Sequence, residues 1–432
     1  MASKELKHEG VKRKNNENPI VDPKRAKSDV ESSDEEEKPL CKYGEKCYQK
    51  NSYHLKKFRH PHREIPAVEA HPKIEIDEMF DSNNSSGMAE QLTPEPASTV
   101  FSVEQSTLPE NQVDDELPPS PADVKENLKQ KFLVEMPDDF YQFWEFCQSI
   151  CQKDTLETFK NTLEIKLVGP FELLDQLNER KSLKNRSDYL TQWRFYYDPP
   201  EFQCIMVGEL SNGYHIGYFR DSPKETPAFV GSNIEAEGCV ITPMGDNLFS
   251  ALSQLISAKV QKADPFKKSQ LASLKKQLEE WTNKNSIPME PQSHIVKSRK
   301  KLMVAKTFYE CGIVVPVSKK TKVGYRKIPE TDVNIRKICK KIVESTNISE
   351  QNKNSDALQE LVTYVQYAND ESDYGMGLEL GLDLLAFGGN VFHPTILHLL
   401  EVAYELLERP QFSIILKAHL KERRKFTANE SE

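Results

Sequence analysis

No stretch of this sequence is apolar and long enough to cross a bilayer, and the opening Met1-Ala2-Ser3-Lys4-Glu5 lacks the apolar core of a signal peptide. Apolar residues make up only 37% of the 432-residue chain, against ~45–50% in a typical globular protein. Part of the chain is therefore expected to be disordered. Cysteines number eight, and only Cys41 and Cys47 look like part of a local framework, which favours reduced thiols over a disulfide scaffold. Catalytic signatures are missing too: there is no Gly-rich phosphate loop, no Gly-x-Ser-x-Gly and no His-Glu-x-x-His. A formal charge of -9 gives no global reason for non-specific nucleic-acid binding and accommodates basic partners more easily. The expectation is a soluble intracellular protein without a membrane segment, of about two to three domains at ~150 residues each.

What is present is unevenly distributed. Residues 1–37 form a polar tail with two basic clusters, Lys12-Arg13-Lys14 and Lys24-Arg25-Ala26-Lys27, ahead of the acidic Ser32-Ser33-Asp34-Glu35-Glu36-Glu37. Paired basic clusters in such a tail suggest nuclear import. Between residues 38 and 63, Cys41, Cys47, His54 and His60 are separated by five, six and five residues. So short a segment cannot bury a core sufficient for folding, and two thiolates with two imidazoles suit a closed tetrahedral Zn²⁺ site. The spacing departs from the DNA-reading finger. Residues 64–121, rich in Ser, Pro, Glu and Asn, read as a disordered linker, and 425–432 as a short tail.

The body, 122–424, reads as α+β with an antiparallel sheet and a helix-rich C-terminal part, in one domain or two packed lobes. Pro137-Asp138-Asp139 starts a helix bearing Phe140, Phe143, Trp144 and Cys147; Cys147 and Cys151 read as core packing. Trp193 to Tyr197, Phe202 to Val207 and Tyr214 to Arg220 read as strands, with a hairpin turn at Asn212-Gly213. A helix capped by Asp246 or Asn247 carries Leu248, Leu252, Leu255 and Ile256; a charged helix spans about Lys267 to Trp281; 282–300 reads as a loop. Thr307 to Val317 reads as another β run, followed by helices near 332–345, 355–370, Pro394 to Leu407 and Pro410 to Lys421.

One stretch resists a purely structural reading. Leu358, Leu361, Val362, Val365 and Ala368 mark one helix face, and three acids, Asp370, Glu371 and Asp373, follow at its C-terminal end before Gly375 and Gly377. Carboxylates there oppose the helix dipole by ~0.3–1 kcal/mol each. The bland alternative is a polar cap and turn. A calcium loop is excluded, because position 12 counted from Asp370 is Gly381, where a bidentate Glu is required.

Two resemblances sharpen this. Cys41-Lys42-Tyr43-Gly44, Cys47-Tyr48-Gln49-Lys50-Asn51 and His60-Pro61 resemble the poly(ADP-ribose)-binding zinc finger family. The resemblance implies that Cys41, Cys47, His54 and His60 hold a structural Zn²⁺ while Tyr43 and Tyr48 face adenine rings of the polymer. That family usually has Arg where this chain has Gln49, which implies weaker ligand binding. Trp193 to Gln203, Gly217 to Pro223, Gly324-Tyr325-Arg326, Pro329-Glu330-Thr331-Asp332 and Asn369 to Gly381 resemble the histone PARylation factor family over about residues 130–424.

This second resemblance implies an accessory protein that binds the catalytic domain of a nuclear poly(ADP-ribose) polymerase at DNA breaks, completes its active site and redirects modification to serine on histones. It places the catalytic glutamate on Glu371 and polymerase contacts on Asp370, Tyr325 and Arg326. NAD⁺ enters only as a substrate held by the polymerase, and direct DNA binding is not expected to dominate. Lys322 stands where shorter members carry an acid, which touches one polymerase contact. Two other readings stay open, a non-catalytic poly(ADP-ribose) reader or chromatin adaptor, and a free-standing ADP-ribose hydrolase using Asp370 and Glu371.

Overall fold

The computed structural model describes residues 117–176, 185–289 and 294–425. The basic clusters, the zinc-finger residues Cys41, Tyr43, Cys47, Tyr48, His54 and His60, nearly all of the linker and residues 426–432 lie outside the described residues.

Sequence order runs α1 (Val124–Phe132), α2 (Asp138–Ile150), α3 (Lys160–Leu163), β1 (Lys166–Leu167), α4 (Pro170–Gln176) and α5 (Arg186–Thr191). Strands β2 (Phe202–Val207), β3 (Tyr214–Phe219), β4 (Phe229–Ile234) and β5 (Thr242–Gly245) follow. The remaining helices are α6 (Leu248–Lys262), α7 (Pro265–Lys284), α8 (His294–Leu302), α9 (Asp332–Val343), α10 (Ile348–Asp370), α11 (Gly375–Phe387), α12 (His393–Leu406) and α13 (Pro410–Glu422). The fold is α+β, as read from the sequence.

The strands form an antiparallel meander in the order β1-β2-β3-β4-β5. Successive side chains on a strand face opposite ways, and here both faces are buried. Tyr218 and Val230 join an apolar cluster with α1, α2, α6 and α7, whereas their neighbours Phe219 and Phe229 join a second cluster with α9 to α13. The sheet thus separates an N-terminal helical layer from the C-terminal helices that carry the candidate site.

Several expectations hold for identifiable reasons. Asp139 fixes the start of α2, its Oδ2 accepting from the Leu248 amide and the Tyr218 hydroxyl, each at 2.9 Å. Cys147 is fully buried and Cys151 partly so, and burial pushes the Cys147 thiol well up, away from any nucleophilic form. In the β2–β3 hairpin the Asn212 side chain accepts from the Tyr214 amide at 2.9 Å, and Gly213 takes φ +67°. Asn247, not Asp246, caps α6 by accepting from the Ser250 amide.

Three expectations are corrected. Trp193 to Tyr197 is a pair of turns, not a strand: the Phe195 amide donates to Asp198 Oδ2 and the Asp198 amide to Phe195 O, each at 3.0 Å, so the backbone is satisfied locally. Thr307 to Val317 buries its apolar side chains without pleating, because Thr307, Glu310 and Gly312 adopt positive φ; one bridge, Ala305 to Ile313, is all that forms. The polar 282–300 segment contains the start of α8, anchored by Arg299. This guanidinium grips both Asp221 oxygens at 2.7 and 2.8 Å and the carbonyls of Cys311 and Gly312. A helix not read from the sequence also appears, α11, opened by Gly375-Met376-Gly377-Leu378. Glycine disfavours helix by about 1 kcal/mol per residue, but a Cβ on Gly381 would lie 2.6 Å from Leu400 Cδ2, so its absence lets α11 and α12 pack closely.

Candidate functional site at the α10–α11 turn

The apolar stripe Leu358, Leu361, Val362, Val365 and Ala368 is buried and seats α10 on the C-terminal core. Asn347 caps its start, accepting from the Glu350 amide at 2.9 Å, so the helix begins a full turn and more before the residue expected from the sequence. Asp370 is its last residue and points to solvent.

Beyond it the chain reverses in a Schellman turn. The Glu371 amide still reaches Tyr367 O and Ala368 O, the Ser372 amide donates to Asn369 O at 3.1 Å, and the Asp373 amide to Ala368 O at 2.8 Å. Ser372 occupies the left-handed position at φ +70°, where glycine is usual. A non-glycine residue there costs ~1–2 kcal/mol.

The turn is bolted to the loop before α9. Asp373, the buried acid of the three, accepts from the Gly324 amide through Oδ1 at 2.8 Å, while the Gly375 amide donates to Gly324 O at 3.0 Å. Gly324 has φ +130°, and a Cβ there would lie 2.0 Å from Pro316 O, so only glycine fits. Next along the loop, the half-buried Tyr325 turns its hydroxyl inward to Glu379 Oε2 at 3.0 Å. Arg326 turns outward. Its Nη2 bonds the Glu371 carboxylate and stands 3.1 Å from Asp373 Oδ2.

The structure therefore gathers Glu371 with Tyr325 and Arg326, which lie about 45 positions earlier in sequence, within one hydrogen-bonded unit, with Asp370 at its edge. Arg326 supplies the counter-charge that α10's acidic end lacks in sequence. The Glu371 side chain remains 61% exposed and that of Arg326 44% exposed, so the pair itself is worth roughly 0–1 kcal/mol. Two cavities, of about 620 Å³ beside Arg220 and about 340 Å³ beside Gly213, are lined by other residues. Glu371 stands on open surface, available to a partner.

Asp373, one of the three acids marked in the sequence, serves as the anchor. Three residues at or beside the unit were not singled out from sequence: Glu379 holds Tyr325, and the exposed Tyr364 and Tyr367 share the helix face that leads to Glu371. Glu379 carried a signal, a lone carboxylate in the otherwise apolar Met376-Gly377-Leu378-Glu379-Leu380. The tyrosines carried one as well, since positions 364, 367 and 371 follow helical spacing.

Known proteins match this chain in two blocks. A family model described as Histone PARylation factor 1 matches residues 123–423, and one described as PBZ domain matches residues 38–63. Histone PARylation factor 1 of Bos taurus is 41% identical over 304 residues, covering 70% of this chain and 88% of that protein. Its Danio rerio counterpart is 41% identical over 305 residues, covering 70% and 86%. A Homo sapiens protein named putative histone PARylation factor 1-like is 39% identical over 306 residues, covering 70% and 88%. Both resemblances read from the sequence are borne out.

Proposed function

Because the chain belongs to the Histone PARylation factor 1 family, we propose that it is an accessory factor of a nuclear poly(ADP-ribose) polymerase, acting on histones in the DNA damage response and contributing one catalytic carboxylate, Glu371. The observation that carries this reading is the placement of an exposed glutamate on a backbone turn held by six hydrogen bonds. A base so presented suits an active site whose remaining parts belong to another protein.

The chemistry needs such a group. A serine hydroxyl is a weak nucleophile until its proton is taken. Glu371 would accept that proton as the serine oxygen bonds to the anomeric carbon of NAD⁺ and nicotinamide departs, with the polymerase holding the NAD⁺. A positioned general base contributes ~10²–10⁴-fold. In the free chain Arg326 occupies the Glu371 carboxylate. A partner that engages Tyr325, Arg326 and Asp370 would draw the guanidinium aside and release the base.

The PBZ match supports a second activity in the same chain, in which Cys41, Cys47, His54 and His60 hold Zn²⁺ and Tyr43 and Tyr48 stack on poly(ADP-ribose). Two thiolates and two imidazoles are the donor set a structural zinc takes. The finger also keeps a second reading open, a reader or chromatin adaptor without a catalytic part.

Reconstitution with polymerase, NAD⁺, broken DNA and histone tests both. Wild-type chain should give serine-linked product and Glu371→Gln almost none, with polymerase binding retained. Equal serine product from Glu371→Gln would remove the general-base assignment, and product without polymerase would indicate a free-standing enzyme. Unchanged polymer binding by Cys41→Ala would remove the finger's role as reader.

A further inference from the structure

Helix α11 is buried along nearly its whole length and carries two carboxylates one turn apart, Glu379 and Asp383. Asp383 accepts from the Phe308 amide at 2.7 Å. Glu379 accepts the Tyr325 hydroxyl at 3.0 Å and makes no ion pair among the described residues. Tyr325 sits between Gly324, which is pinned to Asp373 and Gly375, and Arg326, which reaches Glu371. Its ring packs over Gly375, where an added Cβ would lie 3.0 Å from Tyr325 Cδ2. A buried carboxyl is costly unless it serves its partner, and a leucine would suit this apolar helix better.

We propose that Glu379 is a positioning residue for the Glu371 site: by holding the Tyr325 hydroxyl it orients the loop that carries Arg326, and that hold is strongest while the carboxyl keeps its proton. This rests on the reading of Glu371 as a base and of Tyr325 and Arg326 as partner contacts. Polymerase engagement then weakens as pH rises through neutrality.

The surroundings set that range. Burial pushes the Glu379 carboxyl up to about 7; the Tyr325 bond pulls it down, Asp332 at the start of α9 pushes it up and Lys327 pulls it down. On the same helix Asp383 is pushed well up, first by burial; Glu379 and Asp332 add to this, and Arg336 of α9 opposes it. An ionised acceptor bonds a phenol more strongly than a neutral one, but burial outweighs that bond at Glu379, and opening the loop solvates the carboxylate, so the loop loosens over the interval in which Glu379 loses its proton.

Hydrogen exchange on the full chain at pH 6 and pH 8, corrected for the intrinsic rate, reads this directly. Protection of the amides of residues 322–326 should fall about fivefold in the wild type, stay flat in Glu379→Gln, and lie below the wild-type value already at pH 6 in Tyr325→Phe. An undiminished fall in a folded Glu379→Gln variant overturns the proposal. Should that variant lose its cooperative thermal transition, wild-type protection in Tyr325→Phe overturns it instead. Polymerase affinity should fall by a similar factor in the wild type, and a pH-independent wild-type affinity overturns the link to the partner. Serine product retained by Glu371→Gln, with loop protection still following Glu379, supports the positioning role and removes only the base assignment.

Discussion

The carboxylate of Asp373 receives the Gly324 amide at 2.8 Å, and through that bond the turn bearing Glu371 and the loop bearing Arg326 become one rigid unit. The two residues are 49 positions apart. Of the three acids that end α10, Asp373 is the one turned inward, so it orders the site while Asp370 and Glu371 face outward.

Breaking this link should loosen both elements together. Asp373→Ala removes the Gly324 bond and the Arg326 contact, at a cost of about 2 kcal/mol, read as a lower denaturation midpoint. Gly324→Ala should cost more, because its Cβ would collide with the Pro316 carbonyl, and polymerase binding should fall in both variants.

Ser372 tests whether the turn is held at the expense of stability. Ser372→Gly relieves the left-handed strain and should raise stability by about 1 kcal/mol, measured by urea denaturation. Serine-directed activity should stay near the wild-type level, since the hydrogen bonds of the turn are all main-chain at that residue.

Arg326 and Glu371 should separate binding from chemistry. Each sits in an exposed pair, so Arg326→Ala and Glu371→Gln should both change stability by less than about 1 kcal/mol. Arg326→Ala should weaken polymerase binding severalfold with residual serine product. Glu371→Gln should bind and lose product by ~10²-fold or more, measured by titration and by serine-linked modification in parallel.

Glu201 should contribute stability that falls as pH rises from 5 to 8. Glu201 is buried with Oε1 bonded to the Tyr404 hydroxyl at 2.9 Å, its Oε2 has no partner among the described residues, and burial pushes its carboxyl from 4.5 up to about 7. The folded state thus holds a proton that the unfolded chain releases near 4.5. The stability this contributes is complete below that value and is lost as pH climbs through about 7. Glu201→Gln should remove this share of the dependence and raise stability at pH 8 by about 2 kcal/mol, measured by denaturation at both pH values.

Periodicity, cap chemistry and turn residues carried a large part of this architecture. The meander from Phe202 to Arg220, the helices at Asp138, Asn247 and Pro410, and the apolar stripe of α10 follow from local preferences that point the same way as the fold. Where the structure departs from that reading, a distant partner outweighs local preference. Asp198 captures the amide of Phe195, Arg299 anchors a polar helix, and Leu400 leaves room for no side chain at Gly381. At the site, sequence alone determined that Glu371 ends a helix unfavourably charged, and motif resemblance attached a role to it. Only the tertiary structure decided that Arg326 answers that charge, that Asp373 is an anchor and that Glu379 stands beneath Tyr325. Those contacts span 45, 49 and 54 residues, and their partners are chosen by which loops pack together, information that no local window of sequence contains.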